Sequence, residues 1–331
     1  MSLGSAPATP VTSADIDFGT YRGSCATTDL GFESRLRRLT RLRREKRWQR
    51  FWVADDAIAL GGALIATGPA GIASLWAFDR VEREMLVDSS SMLPPFVVRI
   101  DDNPTAATTA TARFLDCRFA VGQRGDRRHV SSRLGETKFA LGYEVPAADP
   151  ITAVCPVDTG RKDDSKPVAS VNITQKSACL PVSGWINAGD RSHRLGEDAV
   201  GMLDYSHGLL GRETVWRWAI ASGYATDGTS VGFNVVDGFN EGLENVVWID
   251  GSPRAIESAH TLFEDDSEWR IETADGELSV ALTTEGVRCQ NVDFGPFDLQ
   301  TRMPIGRWHG TIGNREIEDI YGVAEIHRAR W

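Results

Sequence analysis

Residues 201–223 read GMLDYSHGLLGRETVWRWAIASG, and the second half of that run decides the fold. Past the turn at 208–211, Trp216, Trp218 and Ile220 recur at every second position, the side-chain period of a strand with one large apolar face. Runs of the same texture fill the chain: WQRFWVAD, AIALGGALIA, ASLWAFDR, ARFLDCRFAV and KFALGYEV, then ASVNITQ, SGWINAG, TSVGFNVV, ENVVWIDG, SEWRIET, GELSVALTT and DIYGVAEIHRARW. Clusters of Gly, Asp, Asn and Pro such as GPAG, DDNPT, QRGDRR and ADGELS separate them. That rhythm predicts an all-β protein of antiparallel barrels or sandwiches. Strands do not alternate with helical patterns, which argues against a doubly wound domain. GxGxxG and GxxxxGK[ST] are absent, so no nucleotide and no other cofactor is expected.

At 331 residues the chain is long enough for two domains with a core in each. Its net charge of −10 sets it against nucleic acid and anionic membrane surfaces. No apolar run reaches the length of a bilayer span. The opening MSLGSAPATPVTSADIDFG has no signal-peptide pattern and reads as a disordered leader, over 1–30. Five scattered cysteines without a Cys-x-x-Cys pair fit the cytoplasm, with neither disulfide framework nor thiolate metal site. The basic stretch ESRLRRLTRLRREKRWQR (33–50), with Leu36, Leu39 and Leu42 three apart, reads as a short solvated helix leading into the first strand. PVDTGRKDDSKP reads as a long surface loop.

The chemistry concentrates just before the tryptophan strand. Asp204, Tyr205 and His207 are three side chains suited to proton transfer, and Trp216 and Trp218 supply an aromatic wall or ordinary core. In one regular strand Tyr205 and His207 face one side and Asp204 the other, so convergence of all three requires a bend or bulge, which Gly208 permits. Elsewhere, Glu244 and Asn245 stand at a strand start, within reach of His207 across a barrel mouth or simply serving a turn. His309 and His327 with His207 offer three imidazoles, but no two share a tight ligand spacing and a metal site is not expected. Gln175 and Lys176 sit in the distinctive run TQKSACLPVSG, where Lys176 either bridges the domains or reaches a cavity. Arg328 and Trp331 end the chain in an alternating run expected to close a sheet.

The runs KRWQRFWVADDAIALGGALIATGPAGIASLWAFDR, TQKSACLPVSGWIN, LDYSHGLLGRETVWRWAIASG, GFNVVDGFNEGLENVVWIDG and YGVAEIHRARW resemble the prokaryotic family called domain of unknown function 2804, over roughly 35–331. More distantly, VSGWINAG followed by GMLDYSHG is similar to the Val-Ser-Gly strand and Trp-Leu-Asp-His-Glu-Trp-Ser pattern of the two-domain lipocalin-like carotenoid 1,2-hydratase and AttH proteins. Asp204 falls on that pattern's Asp, while Tyr205, Ser206 and His207 stand where it has His, Glu and Trp. The resemblance implies two tandem lipocalin-like barrels, at 31–190 and 191–331, with a large apolar cavity at or between them, as in some tocopherol cyclases and polyketide cycloaddition enzymes.

Three functions fit these readings. The first is a cofactor-free hydratase, cyclase or isomerase of an isoprenoid- or polyketide-like molecule, with Asp204 as proton donor, His207 accepting a proton or positioning water, and Tyr205 and Trp218 steadying a developing cation. The second is a carrier or sensor of an apolar ligand held by Trp216, Trp218, Lys176, Glu244, Asn245 and His327. The third is a carbohydrate-active β protein with sugar-stacking tryptophans and paired carboxylates. Turnover against binding separates the first two.

Overall fold

The computed structural model describes residues 3–12, 15–31, 43–157, 171–257, 259–263, 268–294 and 297–330. Among these, two sheets, antiparallel apart from the pair Gly4–Ser5 and Gly19–Arg22, curl into near-barrels, as the strand rhythm predicts. The main path of the first runs Glu84–Leu93, Gly71–Asp79, Ile58–Ala66, Glu45–Ala54, Val200–Leu209, Val171–Ala188, Thr137–Glu144, Arg127–Leu134, Cys117–Arg124, Ala110–Phe114 and Val98–Ile100. The second runs Ser252–Ala255, Val246–Ile249, Ser230–Asp237, Glu213–Tyr224, Arg315–Arg330, Phe297–Ile312, Leu278–Phe294, Glu268–Thr273 and Ala259–Phe263. No described helix is long and apolar enough to cross a membrane.

VNITQ (171–175) and SGWINA (183–188), from separate runs in the sequence, belong to one strand, Val171–Ala188. A register shift between Ser177 and Leu180 bends it, and Cys179 there holds a left-handed φ of 57°. The bend lets this strand pair with Ile151–Pro156 and Val200–Leu209 at one end and with Thr137–Glu144 at the other. The strand Val200–Leu209, which a boundary at 190/191 assigns to the second barrel, is hydrogen-bonded between Glu45–Ala54 and Val171–Ala188 in the first sheet. The chain enters the second sheet only at Glu213.

The amino-terminal reading needs two corrections. The leader expected to be disordered is packed: Gly4–Ser5 pairs with Gly19–Arg22, which pairs with Ile151–Pro156, and Val11, Ile16, Cys25 and Leu30 are buried against Val154, Val171, Ile173 and Leu209. Four apolar anchors and an available sheet edge outweigh its polar composition. Of the short helix expected within 33–50, residues 33–42 lie outside the described residues, and the first strand begins at Glu45, ahead of the expected Trp48. Pairing on both sides of Glu45–Ala54 overrides the helical preference of its Glu, Lys and Arg.

Each sheet encloses an apolar core, and a third apolar cluster joins them. Trp52, Ala59, Trp76, Phe78 and Met202 of the first sheet pack on Trp218, Ile220, Met303, Ile305 and Val323 of the second. Arg80 reinforces this contact through paired bonds of 2.9 Å to both oxygens of Glu285. Around this cluster the seam is apolar, so polar groups buried beside it need partners in the protein or a ligand.

Candidate functional site

Three adjacent strands of the first sheet place Arg50, Asp204 and Lys176 in one row, since Asp204 is the cross-strand partner of both other residues. All three side chains point into the seam. Lys176 Nζ lies 2.9 Å from Asp204 Oδ1 and 2.9 Å from Glu244 Oε2, a residue of the second half of the chain. Burial pulls the Lys176 ammonium toward neutrality, but Asp204 and Glu244 outweigh it and hold its pKa above that of an ordinary lysine. Glu244 is itself fixed by Asn240, whose Nδ2 donates to Oε1 at 2.6 Å.

The second sheet supplies the facing wall. Trp216 and His327, cross-strand partners, stack with ring centroids 3.7 Å apart and planes 9° from parallel. Trp216 Nε1 donates to Glu325 Oε1 at 2.9 Å, and Arg50 pairs with Glu325 Oε2 at 3.3 Å. Burial opposes the charge on Glu325, yet Arg50, His327, Trp216 and Arg288 keep its carboxyl below the usual range. Trp218 donates to Asn234 and carries the Arg50 guanidinium 4.9 Å from its ring centroid. Burial, helped by Arg50 and opposed by Glu325, brings the His327 imidazole down to about 4. With Nδ1 at 3.0 Å from Thr301 Oγ1, its Nε2 is buried without a partner among the described residues.

Arg50, Lys176, Asp204, Glu244, Trp216, Trp218 and His327 line one cavity together with Trp48, Ala63, Ile65, Val236, Phe239 and Leu299. It is mostly apolar and small, ≈ 50 Å³. The large cavity implied by the resemblance is thus not open in this conformation, because Trp216, stacked on His327 and 5.3 Å from Phe239, fills the seam. Phe239 and Val236 also line a neighbouring cleft of ≈ 400 Å³. Phe239 follows Gly238 and precedes Asn240, Glu241 and Gly242, all with positive φ. Asn240 and Glu241 carry real backbone strain in that turn.

The structure brings together Asp204, Lys176, Glu244, Trp216, Trp218 and His327, and separates them from Tyr205 and His207. Pairing of Val200–Leu209 with Glu45–Ala54 runs one-to-one, with no bulge at Gly208. Alternation therefore turns Tyr205 and His207 to the opposite face. Tyr205 Oη donates to the Asp101 carbonyl at 2.8 Å; His207 lies 3.2 Å from Thr28 Oγ1 and 3.2 Å from Glu45 Oε1. The expected convergence of Asp204 with His207 is corrected: the sheet lies between them. Glu244 meets Lys176 rather than His207. Asn245 stands outside this cavity and accepts the Val236 N–H at 2.7 Å. His309 is exposed on the second sheet, apart from His207 and His327. Trp331 lies outside the described residues, and Arg328 is in the closing strand as expected.

Sequence reasoning missed Arg50, Trp48, Glu325 and Phe239. Arg50 falls where the basic segment 33–50 overlaps the strand run WQRFWVAD, and its i, i+2 relation to Trp48 puts both on one face. The same spacing relates Glu325 to His327.

A profile of the family described as domain of unknown function (DUF2804) matches residues 15–331. The chain belongs to that family. No curated protein sequence matches it. Among solved structures, this member of the family is similar to CghA bound to Sch210972, at 11% identity and a TM-score of 0.54, covering 87% of this chain and 89% of that one. It is also similar to kievitone hydratase from Nectria haematococca (7%, TM-score 0.52, 86% and 88% covered) and to an AttH protein from Nitrosomonas europaea (12%, TM-score 0.50, 86% and 92% covered). At these identities the likeness shows the fold, which is the lipocalin-like two-barrel architecture expected of the DUF2804 chain.

Proposed function

We propose that the cavity in the seam binds an apolar small molecule and catalyses a proton-transfer reaction on it, a hydration, cyclisation or isomerisation, without a cofactor. The observation that carries this reading is the Lys176–Asp204–Glu244 cluster, buried beside Trp218 in a mostly apolar cavity. Two carboxylates around one ammonium, out of water, cost more to bury than apolar residues of the same size. Such a cluster suits a proton store next to a substrate. Asp204, held as a carboxylate by Lys176, takes up the proton and then returns it, Lys176 and Glu244 hold it in place, and Trp216 and Trp218 face the apolar body of the ligand. His327, with a pKa of about 4, is too weak a base to keep a proton near neutrality, so its Nε2 serves as a hydrogen-bond acceptor for a water or hydroxyl. The hydratase named among the structural relatives, and the match of Asp204 to the hydratase-like pattern, support this reaction class.

A non-catalytic carrier is the second reading, favoured by the way the cluster also clamps the two sheets together. Solvent deuterium separates the two. Incubation in D2O with the small molecules that co-purify with the native protein should label their carbon framework if protons are transferred, and Asp204→Asn should abolish the labelling. Bound but unlabelled molecules would identify a carrier; a co-purifying sugar would overturn both readings.

A further inference from the structure

The three strands that carry Arg50, Asp204 and Lys176 have a second cavity behind them. Gln49, Gln175 and Tyr205, each adjacent in sequence to one of those residues and therefore on the opposite face, help to line a space of ≈ 220 Å³ inside the first barrel. Arg128 enters it from the opposite wall. On Arg127–Leu134 the alternate residues Arg128, Val130, Ser132 and Leu134 turn inward, so strand geometry commits this guanidinium to the interior.

Arg128 is 4% exposed. Its guanidinium donates to Gln123 Oε1 at 2.8 Å, while its Nε is buried without a partner. Among the described residues it forms no ion pair, and Asp126, at the exposed rim of the same cavity, does not reach it. Burial alone lowers the guanidinium to about 10, with no carboxylate opposing it. The remaining polar mismatch has the other sign. Gln49 donates its Nε2 to the Asp204 carbonyl at 3.2 Å, leaving its Oε1 buried and unmatched, and Gln175 Oε1 is unmatched as well. A buried cation without a counter-ion and acceptors without donors are among the costliest features a fold retains. One molecule carrying a carboxylate and a hydroxyl satisfies the guanidinium and one of the two amide oxygens.

We propose that the interior of the first barrel is a binding site for a small hydroxycarboxylate, whose carboxylate pairs with Arg128 and whose hydroxyl donates to the amide oxygen of Gln175 or Gln49. The fork of a guanidinium suits a carboxylate better than a single-atom anion. The cavity has the volume of about seven waters, which admits a short hydroxy acid and excludes a long acyl chain. This site is independent of the reaction assigned to the seam.

The test is thermal unfolding of the full chain with lactate or mandelate, against propionate, propane-1,2-diol and sodium chloride at matched ionic strength. At least one hydroxycarboxylate should raise Tm saturably, as ligand linkage requires. Propionate should act more weakly, and the diol and chloride should not act. Arg128→Met should lose the response while its own Tm stays at or above that of the parent, since an unpaired charge leaves the interior. Gln175→Leu should reduce the hydroxycarboxylate response toward that of propionate, and Trp218→Ala, on the other cavity, should keep it. Responses to both hydroxycarboxylates no larger than to chloride, or an undiminished response in Arg128→Met, would overturn the proposal. If Arg128→Met does not fold, the probe series on the parent protein and Gln175→Leu decide it.

Discussion

Lys176 of the first sheet and Glu244, on the segment entering a strand of the second, meet at 2.9 Å with both side chains almost wholly out of water. Asp204 completes the group on the other side of the ammonium. The electrostatic centre of the candidate site is thus also a joint between the two halves of the chain.

Removing only the cation should be severe. Lys176→Met leaves Asp204 and Glu244 buried without neutralisation and should cost about 3–5 kcal/mol, the scale for breaking a buried pair. Replacing all three by Met, Leu and Leu should recover most of that loss. Urea unfolding of the two variants checks both expectations.

Asp204→Asn keeps the size of the side chain and removes its acid–base chemistry. Turnover should fall by roughly a hundredfold or more while ligand affinity changes little. Trp218→Ala should instead weaken binding, because it deletes the aromatic wall. Separate measurement of kcat and of Kd for the labelled ligand distinguishes the two effects.

His207 lies on the other face of the sheet, so its removal should spare the chemistry. His207→Asn is expected to lower stability by about 1–3 kcal/mol, the usual cost of disturbing buried hydrogen bonds, with turnover unchanged. A hundredfold loss of turnover in a folded His207→Asn protein would return His207 to the active site.

Acid should destabilise the fold partly through His327. Its folded pKa of about 4 lies below the ordinary 6.5, so as pH falls the unfolded chain takes up the proton first. Stability from this group is lost below about pH 6.5 and the loss levels off below about 4, for a total on the order of 3 kcal/mol. The difference in unfolding free energy between the parent and His327→Gln, followed from pH 7 to 4, should show that slope.

Phe239 partitions a ≈ 50 Å³ space from one of ≈ 400 Å³. Phe239→Ala should join them and admit larger ligands, read as tighter binding of bulky apolar probes and as a continuous cavity in the crystal structure of the variant.

The alternation of large apolar residues determined the fold class by itself, because strand period and turn chemistry are local: the runs from WQRFWVAD to DIYGVAEIHRARW are strands. Local motifs likewise singled out Asp204, Lys176, Glu244, Trp216, Trp218 and His327, since acids, bases and indoles beside strand runs are scarce enough to stand out. Local patterns said nothing of which strand lies beside which. Register alone decided that Asp204 stands between Arg50 and Lys176, that His207 turns away from it, and that Glu244 and His327 arrive from a second sheet. The same pairing packed the polar leader and made strand of Glu45–Arg47, the part of the basic segment ahead of WQRFWVAD. Side-chain direction in a sheet follows from one-to-one pairing over a whole strand, and a pairing between residues 154 positions apart, as between Arg50 and Asp204, exists only once the chain has folded.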